Sequence, residues 1–275
     1  MSTRRGSGRL WRTVSMRKLQ SLLALSLLAL LAPAALADGS GWERHAAVAE
    51  AVGEATPQLG QLRMQMPSVS EDGSAVPLEL SIDHPMSADE YIESIRVFAT
   101  KNPNAEVVDF FLTPQMGRPE VSTRVRVNES QTLYAVAHSS TGEVYVASAD
   151  IRITVGGCLM ASDDDIAEFG QPRVAIPRSP SAGEPGEVRT LVTHPMETGL
   201  REGPDGEILP RRLLDTLVVE YEGDTVLTVR MHTAVSENPY MRFFMAPEES
   251  GQAVFRWTEE DSGDTVEEQA TFNLS

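Results

Sequence analysis

From residue 76 onward the chain is written in short runs in which apolar and polar side chains alternate. That two-residue period constrains the fold more than any other feature. Residues 78–82 read Leu-Glu-Leu-Ser-Ile and residues 92–98 read Ile-Glu-Ser-Ile-Arg-Val-Phe. Successive side chains of a strand point to opposite faces, so this spacing predicts half-buried strands. A helix would need its apolar residues three and four apart. Residues 107–112, 121–127, 133–137 and 144–155 continue the pattern, with Thr141-Gly142 as a hairpin turn. Short strands every ~10–12 residues predict an antiparallel sandwich.

Residues 159–187 break the rhythm. Asp163-Asp164-Asp165, Pro172, Pro177, Pro180, Gly183, Pro185 and Gly186 predict a Pro/Gly/Asp-rich linker. Alternation resumes near Val188. Residues 217–221 and 225–231 flank Glu222-Gly223-Asp224 as a hairpin, and residues 240–245, 253–257 and 265–274 supply further strands. The fold class is therefore all-β, with two β-sandwich domains in tandem at residues 75–158 and 188–275, joined by the linker at 159–187. Residues 38–74 read as a mixed segment, with a short helix at 42–49 and a loop at 61–70. An internal echo supports two similar units. His84-Pro85-Met86 and His194-Pro195-Met196 each follow the first strand of their unit, where proline ends a strand ladder.

The first 37 residues read as a cleaved export signal. Arg4, Arg5, Arg9, Arg12, Arg17 and Lys18 precede an apolar run at 22–32 that closes on Ala35-Leu36-Ala37. The run falls short of the roughly 20 apolar residues that a membrane span needs. The expectation is a periplasmic protein with no membrane segment. Removing the six basic residues takes 23 Lys and Arg to 17, against 40 Asp and Glu, a net charge of −23. Such a surface repels nucleic acid and anionic membranes.

The chain has one cysteine, Cys158, directly after Val155-Gly156-Gly157. An exported protein usually pairs its cysteines or lacks them, so an odd one is either inert or kept for chemistry. Two glycines free the backbone and set the thiol where a strand meets an irregular segment. A self-sufficient nucleophile needs its thiol brought below the ordinary pKa of about 8.5 by a histidine, a basic residue or a helix N-terminus. Here Arg152 lies on one side and Asp163-Asp164-Asp165 on the other, with no histidine nearby in sequence; His84, His138 and His232 are those that folding could bring close. The pattern suits a handle that another protein loads.

Gly156-Gly157-Cys158 at the end of a β unit resembles the carrier arm of the SoxY family, as do residues 91–103 and 117–127. The run His194-Pro195-Met196-Glu197-Thr198-Gly199-Leu200-Arg201 resembles the SoxZ family. Together residues 75–275 look like a SoxY–SoxZ pair fused into one chain, of the type associated with quinoprotein dehydrogenase systems. The resemblance implies two immunoglobulin-like sandwiches and a periplasmic carrier, not an enzyme, holding sulfur-oxidation intermediates on Cys158. Gly156 and Gly157 are then the hinge of the arm. The implied partners are periplasmic haem-containing sulfur-oxidising enzymes or a quinoprotein dehydrogenase system, with a sulfur compound as cargo and no cofactor or metal. In one respect the chain departs from SoxY, whose arm ends the protein: here Leu159-Met160-Ala161 and a whole further unit follow.

Two rival readings remain at this level. Met64, Met66, Met231-His232 and the two His-Pro-Met triplets are soft ligands that suit a copper-binding module. A structural partner of a quinoprotein dehydrogenase system fits if Cys158 is buried. Hydrolytic motifs such as G-x-S-x-G and H-E-x-x-H are absent.

Overall fold

The computed structural model describes residues 39–155, 169–203 and 205–275. A 3-10 turn at Trp42–Arg44 leads into helix α1 (Ala46–Val52). Nine strands follow in the first half: β1 (Gln58–Leu59), β2 (Leu62–Gln65), β3 (Val69–Asp72), β4 (Val76–Ile82), β5 (Ile92–Ala99), β6 (Glu106–Leu112), β7 (Glu120–Val125), β8 (Gln131–Ser139) and β9 (Val144–Val155). The second half adds β10 (Gly170–Ala175), β11 (Gly186–Thr193), β12 (Leu214–Tyr221), β13 (Asp224–Met231), β14 (Tyr240–Met245), β15 (Gly251–Glu259) and β16 (Thr265–Phe272). Among the described residues, no helix is long and apolar enough to cross a membrane.

The all-β sandwich read from the alternation is the observed architecture. The two halves share their sheets. The larger sheet runs β1-β9-β8-β5-β6-β13-β12-β15-β16, with β3 on the free edge of β9, and the smaller runs β10-β11-β14-β7-β4-β2. Each sheet therefore takes strands from both halves. The seam in the larger sheet is a regular antiparallel ladder from Leu112 opposite Leu227 to Val108 opposite Met231. In the smaller sheet it narrows to one register pair, Arg242 opposite Ser122. The Arg242 side chain reinforces it, reaching Glu79 at 2.6 Å, Glu120 at 2.7 Å and Ser122 at 3.0 Å, all in the first half.

One apolar layer fills the space between the sheets. It is continuous from Leu62, Leu78 and Phe110 in the first half to Phe243, Phe255, Trp257 and Phe272 in the second. Helix α1 covers part of the outer face of the larger sheet, burying Val48 and Val52 against Phe98, Tyr134, Val136 and Val146. That cover explains why residues 133–137 are buried without alternation, as strands covered on both faces are.

Two stretches depart from the sequence reading. Residues 61–70, expected as a loop, hold β2, whose four residues alternate buried and exposed, and the start of β3, which buries none of its side chains. Within 159–187, expected as linker, β10 pairs with β11. Its Pro172 is tolerated because β10 is an edge strand, where a missing N–H leaves no ladder bond unmade.

Candidate functional site

Cys158, Gly156 and Gly157 lie outside the described residues, and the strand that leads to them is β9. β9 presents Tyr145, Ala147, Ala149, Ile151 and Ile153 to the core between the sheets and Val144 and Val146 to α1, and pairs with β8 from Val144 to Ile151. Its last turn of sequence is held from both sides. β3 runs parallel to it, placing Val69, Ser70 and Asp72 opposite Arg152, Ile153 and Val155. The Thr154 hydroxyl donates to the Glu71 carbonyl at 3.0 Å, and the Ile153 N–H donates to the Ser130 hydroxyl at 2.9 Å. The backbone is thus fixed up to Val155.

The chain is described again from Phe169, whose ring stands edge-on to the His194 ring with centroids 5.4 Å apart. β10 then joins the smaller sheet. The end of β9, the start of β10 and the His194 turn lie at one end of the sandwich, called here the root end.

The three histidines considered as neighbours of the thiol are not gathered there. β9 has twelve residues, so at about 3.3 Å per step its two ends lie about 36 Å apart. His138 is paired with Val144 and His84 is close to Glu143, both at the far end. His232 follows β13 at the root end, with Nε2 3.4 Å from Asp109 Oδ2. Four strand spacings, about 19 Å, separate β13 from β9.

His194 is fully buried and engaged at both nitrogens. Nδ1 accepts the Met196 N–H at 3.0 Å, which leaves the hydrogen on Nε2 to donate to Glu259 Oε1, also at 3.0 Å. Burial lowers the His194 pKa below its ordinary value, outweighing the opposing pull of Glu259. Burial raises that of Glu259, but hydrogen bonds from Ser262, His194 and Arg212 more than offset it and leave the carboxyl below its ordinary range. The Arg126 guanidinium of the first half donates to the Pro195 and Met196 carbonyls. The second His-Pro-Met turn is therefore a structural clamp between the halves.

Among the described residues, the copper reading finds no common centre. His84 and His194 stand at opposite ends of the sandwich. Met64, Met231, Met241 and Met245 are core side chains.

Among the described residues, a groove and a smaller cavity open at the root end. A groove of about 700 Å³ runs between α1 and both halves, with Ala47, Asn104 and Glu106 on one wall and Arg211, His232 and Glu260 on the other. A smaller cavity of about 220 Å³ lies beside the clamp, lined by Pro195, Arg201, Leu209 and Arg212 among others. Neither was legible in the sequence, because their walls come from segments distant along the chain.

Comparison with known proteins adds the family. The sulfur oxidation protein SoxY family matches residues 48–158, and the sulphur oxidation protein SoxZ family matches residues 174–271. A search among curated proteins returns no match. Among solved structures, the sulfur carrier protein SoxY from Chlorobium limicola f thiosulfatophilum is 26% identical, with a TM-score of 0.34 over 40% of this chain and 94% of that one. The superoxide reductase (neelaredoxin) from Ignicoccus hospitalis is 17% identical, with a TM-score of 0.32 over 34% of this chain and 80% of that one. The chain belongs to the SoxY and SoxZ sulfur oxidation families, with a SoxY domain and a SoxZ domain fused in one polypeptide.

Proposed function

We propose that this protein is an exported, periplasmic carrier that holds sulfur-oxidation intermediates covalently on the thiol of Cys158. The observation that carries the proposal is the joint presence of the two domains, with the SoxY match running up to Cys158 as its last residue. Gly156 and Gly157 serve as the hinge. Two residues, Gly156 and Gly157, separate Val155 from Cys158 in sequence, and the three links from Val155 to Cys158 span at most about 11 Å. Whatever loads the thiol must therefore approach the root end, where the groove lined by both halves gives a partner a surface to recognise.

The chemistry is supplied from outside. Coupling the thiol to a sulfur anion forms one S–S bond, releases the thiol proton and delivers two electrons to the partner. That partner is a haem-containing sulfur-oxidising enzyme or a member of a quinoprotein dehydrogenase system. The carrier itself contributes attachment, a fixed arm root and a soluble, acidic surface, and no catalysis. The second domain stabilises the pair through the shared sheets and the Arg126 and Arg242 contacts.

The test is loading in vitro with a periplasmic extract and thiosulfate. Wild-type protein gains a mass that a reductant removes, and Cys158→Ser does not while keeping its circular dichroism spectrum. Equal loading of the serine variant refutes the assignment.

A further inference from the structure

The end of the sandwich farthest from the arm root holds a cluster for which the carrier function has no use. His84 follows β4, Glu90 closes the same loop before β5, and Glu143 precedes β9. The His84 side chain is only 6% exposed. Its Nδ1 lies 2.9 Å from the Pro85 carbonyl oxygen. A carbonyl only accepts, so Nδ1 carries the hydrogen and the neutral ring presents a bare lone pair at Nε2. That atom is buried without a hydrogen-bond partner. It faces Glu90 Oε1 at 3.6 Å and Glu143 Oε2 at 3.9 Å.

One nitrogen and two carboxylate oxygens thus converge, all within 4.8 Å of one another. Three electron-pair donors with no hydrogen between them repel one another unless a positive charge stands among them. The surroundings match what a metal-binding histidine requires. Its second nitrogen donates to a backbone carbonyl, which fixes the tautomer and turns the lone pair inward. Glu143 is itself oriented, accepting hydrogen bonds from the Tyr145 hydroxyl and the Gln58 amide, each at 2.9 Å.

We propose that His84, Glu90 and Glu143 form a binding site for a divalent transition cation, zinc foremost. One imidazole and two carboxylates suit a borderline ion better than calcium, which favours all-oxygen sets, or Cu(I), which favours sulfur. Zinc–nitrogen and zinc–oxygen bonds of about 2.0–2.2 Å put tetrahedral ligands about 3.4 Å apart. The two nitrogen–oxygen separations, 3.6 and 3.9 Å, exceed that by a few tenths of an ångström, and the carboxylates, 46% and 42% exposed, have room to draw in toward the ion. Three protein ligands leave a fourth position to water or to a donor from another molecule. The ion would tie the β4–β5 loop to the β8–β9 hairpin. This site does not depend on the carrier reading, since it lies at the opposite end and uses no sulfur ligand.

The experiment is calorimetric titration of zinc chloride into the mature chain, carried out in a Cys158→Ser background so that the thiol cannot contribute. One saturable site of micromolar or tighter Kd is expected, weakened at least tenfold by His84→Asn and by Glu143→Gln. Zinc raises the thermal midpoint of the parent and leaves that of Glu90→Gln unmoved. Glu90 is surface-exposed, so its variant folds even if the other two do not. Absence of a saturable site, or zinc binding that is unchanged in Glu90→Gln and in a folded His84→Asn, overturns the proposal.

Discussion

Replacing Arg242 with methionine removes the side chain that holds β14 to the first half. The guanidinium is 15% exposed and bonds Glu79, Glu120 and Ser122 across the seam. Methionine keeps the apolar stem and leaves two carboxylates without their counter-charge. A hydrogen bond to a charged group contributes about 1.5–3 kcal/mol. Glu79 is 39% exposed and Glu120 21%, so water recovers part of that. The net loss is about 2–4 kcal/mol, which lowers Tm by about 4–16 °C in a chain of this size. Because both sheets cross the seam, the whole molecule should feel the loss. Beyond residue 37 there are two tryptophans, Trp42 in the first half and Trp257 in the second. Single-tryptophan backgrounds made with Trp42→Phe or Trp257→Phe then report each half by fluorescence. In each background, Arg242→Met is expected to move one shared unfolding midpoint by the same amount. If the Trp257 signal shifts while the Trp42 signal stays, the halves unfold independently and the reasoning from continuous sheets is wrong.

Three further outcomes are expected. Gly117→Ala should cost about 2–4 kcal/mol in urea unfolding, because its φ of +65° disfavours a side chain and the new Cβ would meet the Ala246 Cβ at 2.6 Å. Gly142→Ala, with φ of +89° and open space around it, should cost only about 1 kcal/mol. His194 and His138 both titrate below the ordinary 6.5, chiefly through burial. Their contribution to stability is complete above that value and is lost as pH falls through their folded pKa values, so the urea midpoint should drop between pH 7 and 5. His194→Gln should flatten that slope, and a midpoint that rises on acidification refutes the burial argument.

Much of the fold was legible because alternation reports burial directly. Residues 240–245 form β14 as read, and Glu222-Gly223 makes the tight turn of the β12–β13 hairpin, both residues at positive φ. Partner choice was not legible. Alternation says which face of a strand is buried but not which strand lies beside it, so the β6–β13 and β14–β7 ladders are absent from the pattern. β10 was hidden by Pro172 and by a register shift between Gly170 and Arg173. The two His-Pro-Met triplets illustrate the same limit. Identical in sequence, they differ in role because Glu259 and Asn238 reach His194 from distant segments, whereas His84 meets Glu143. Cys158 was singled out by its isolation and its glycines, and it lies outside the described residues.

The most direct measurement is the intact mass of the native protein, taken from the periplasm of its own cell with and without a reductant. A sulfur carrier yields a reducible added mass on Cys158 equal to one or more sulfur atoms or a sulfonate, absent from the Cys158→Ser chain. A bare mass in the wild type under sulfur-oxidising growth, or an added mass that survives in Cys158→Ser, contradicts the role assigned to that thiol.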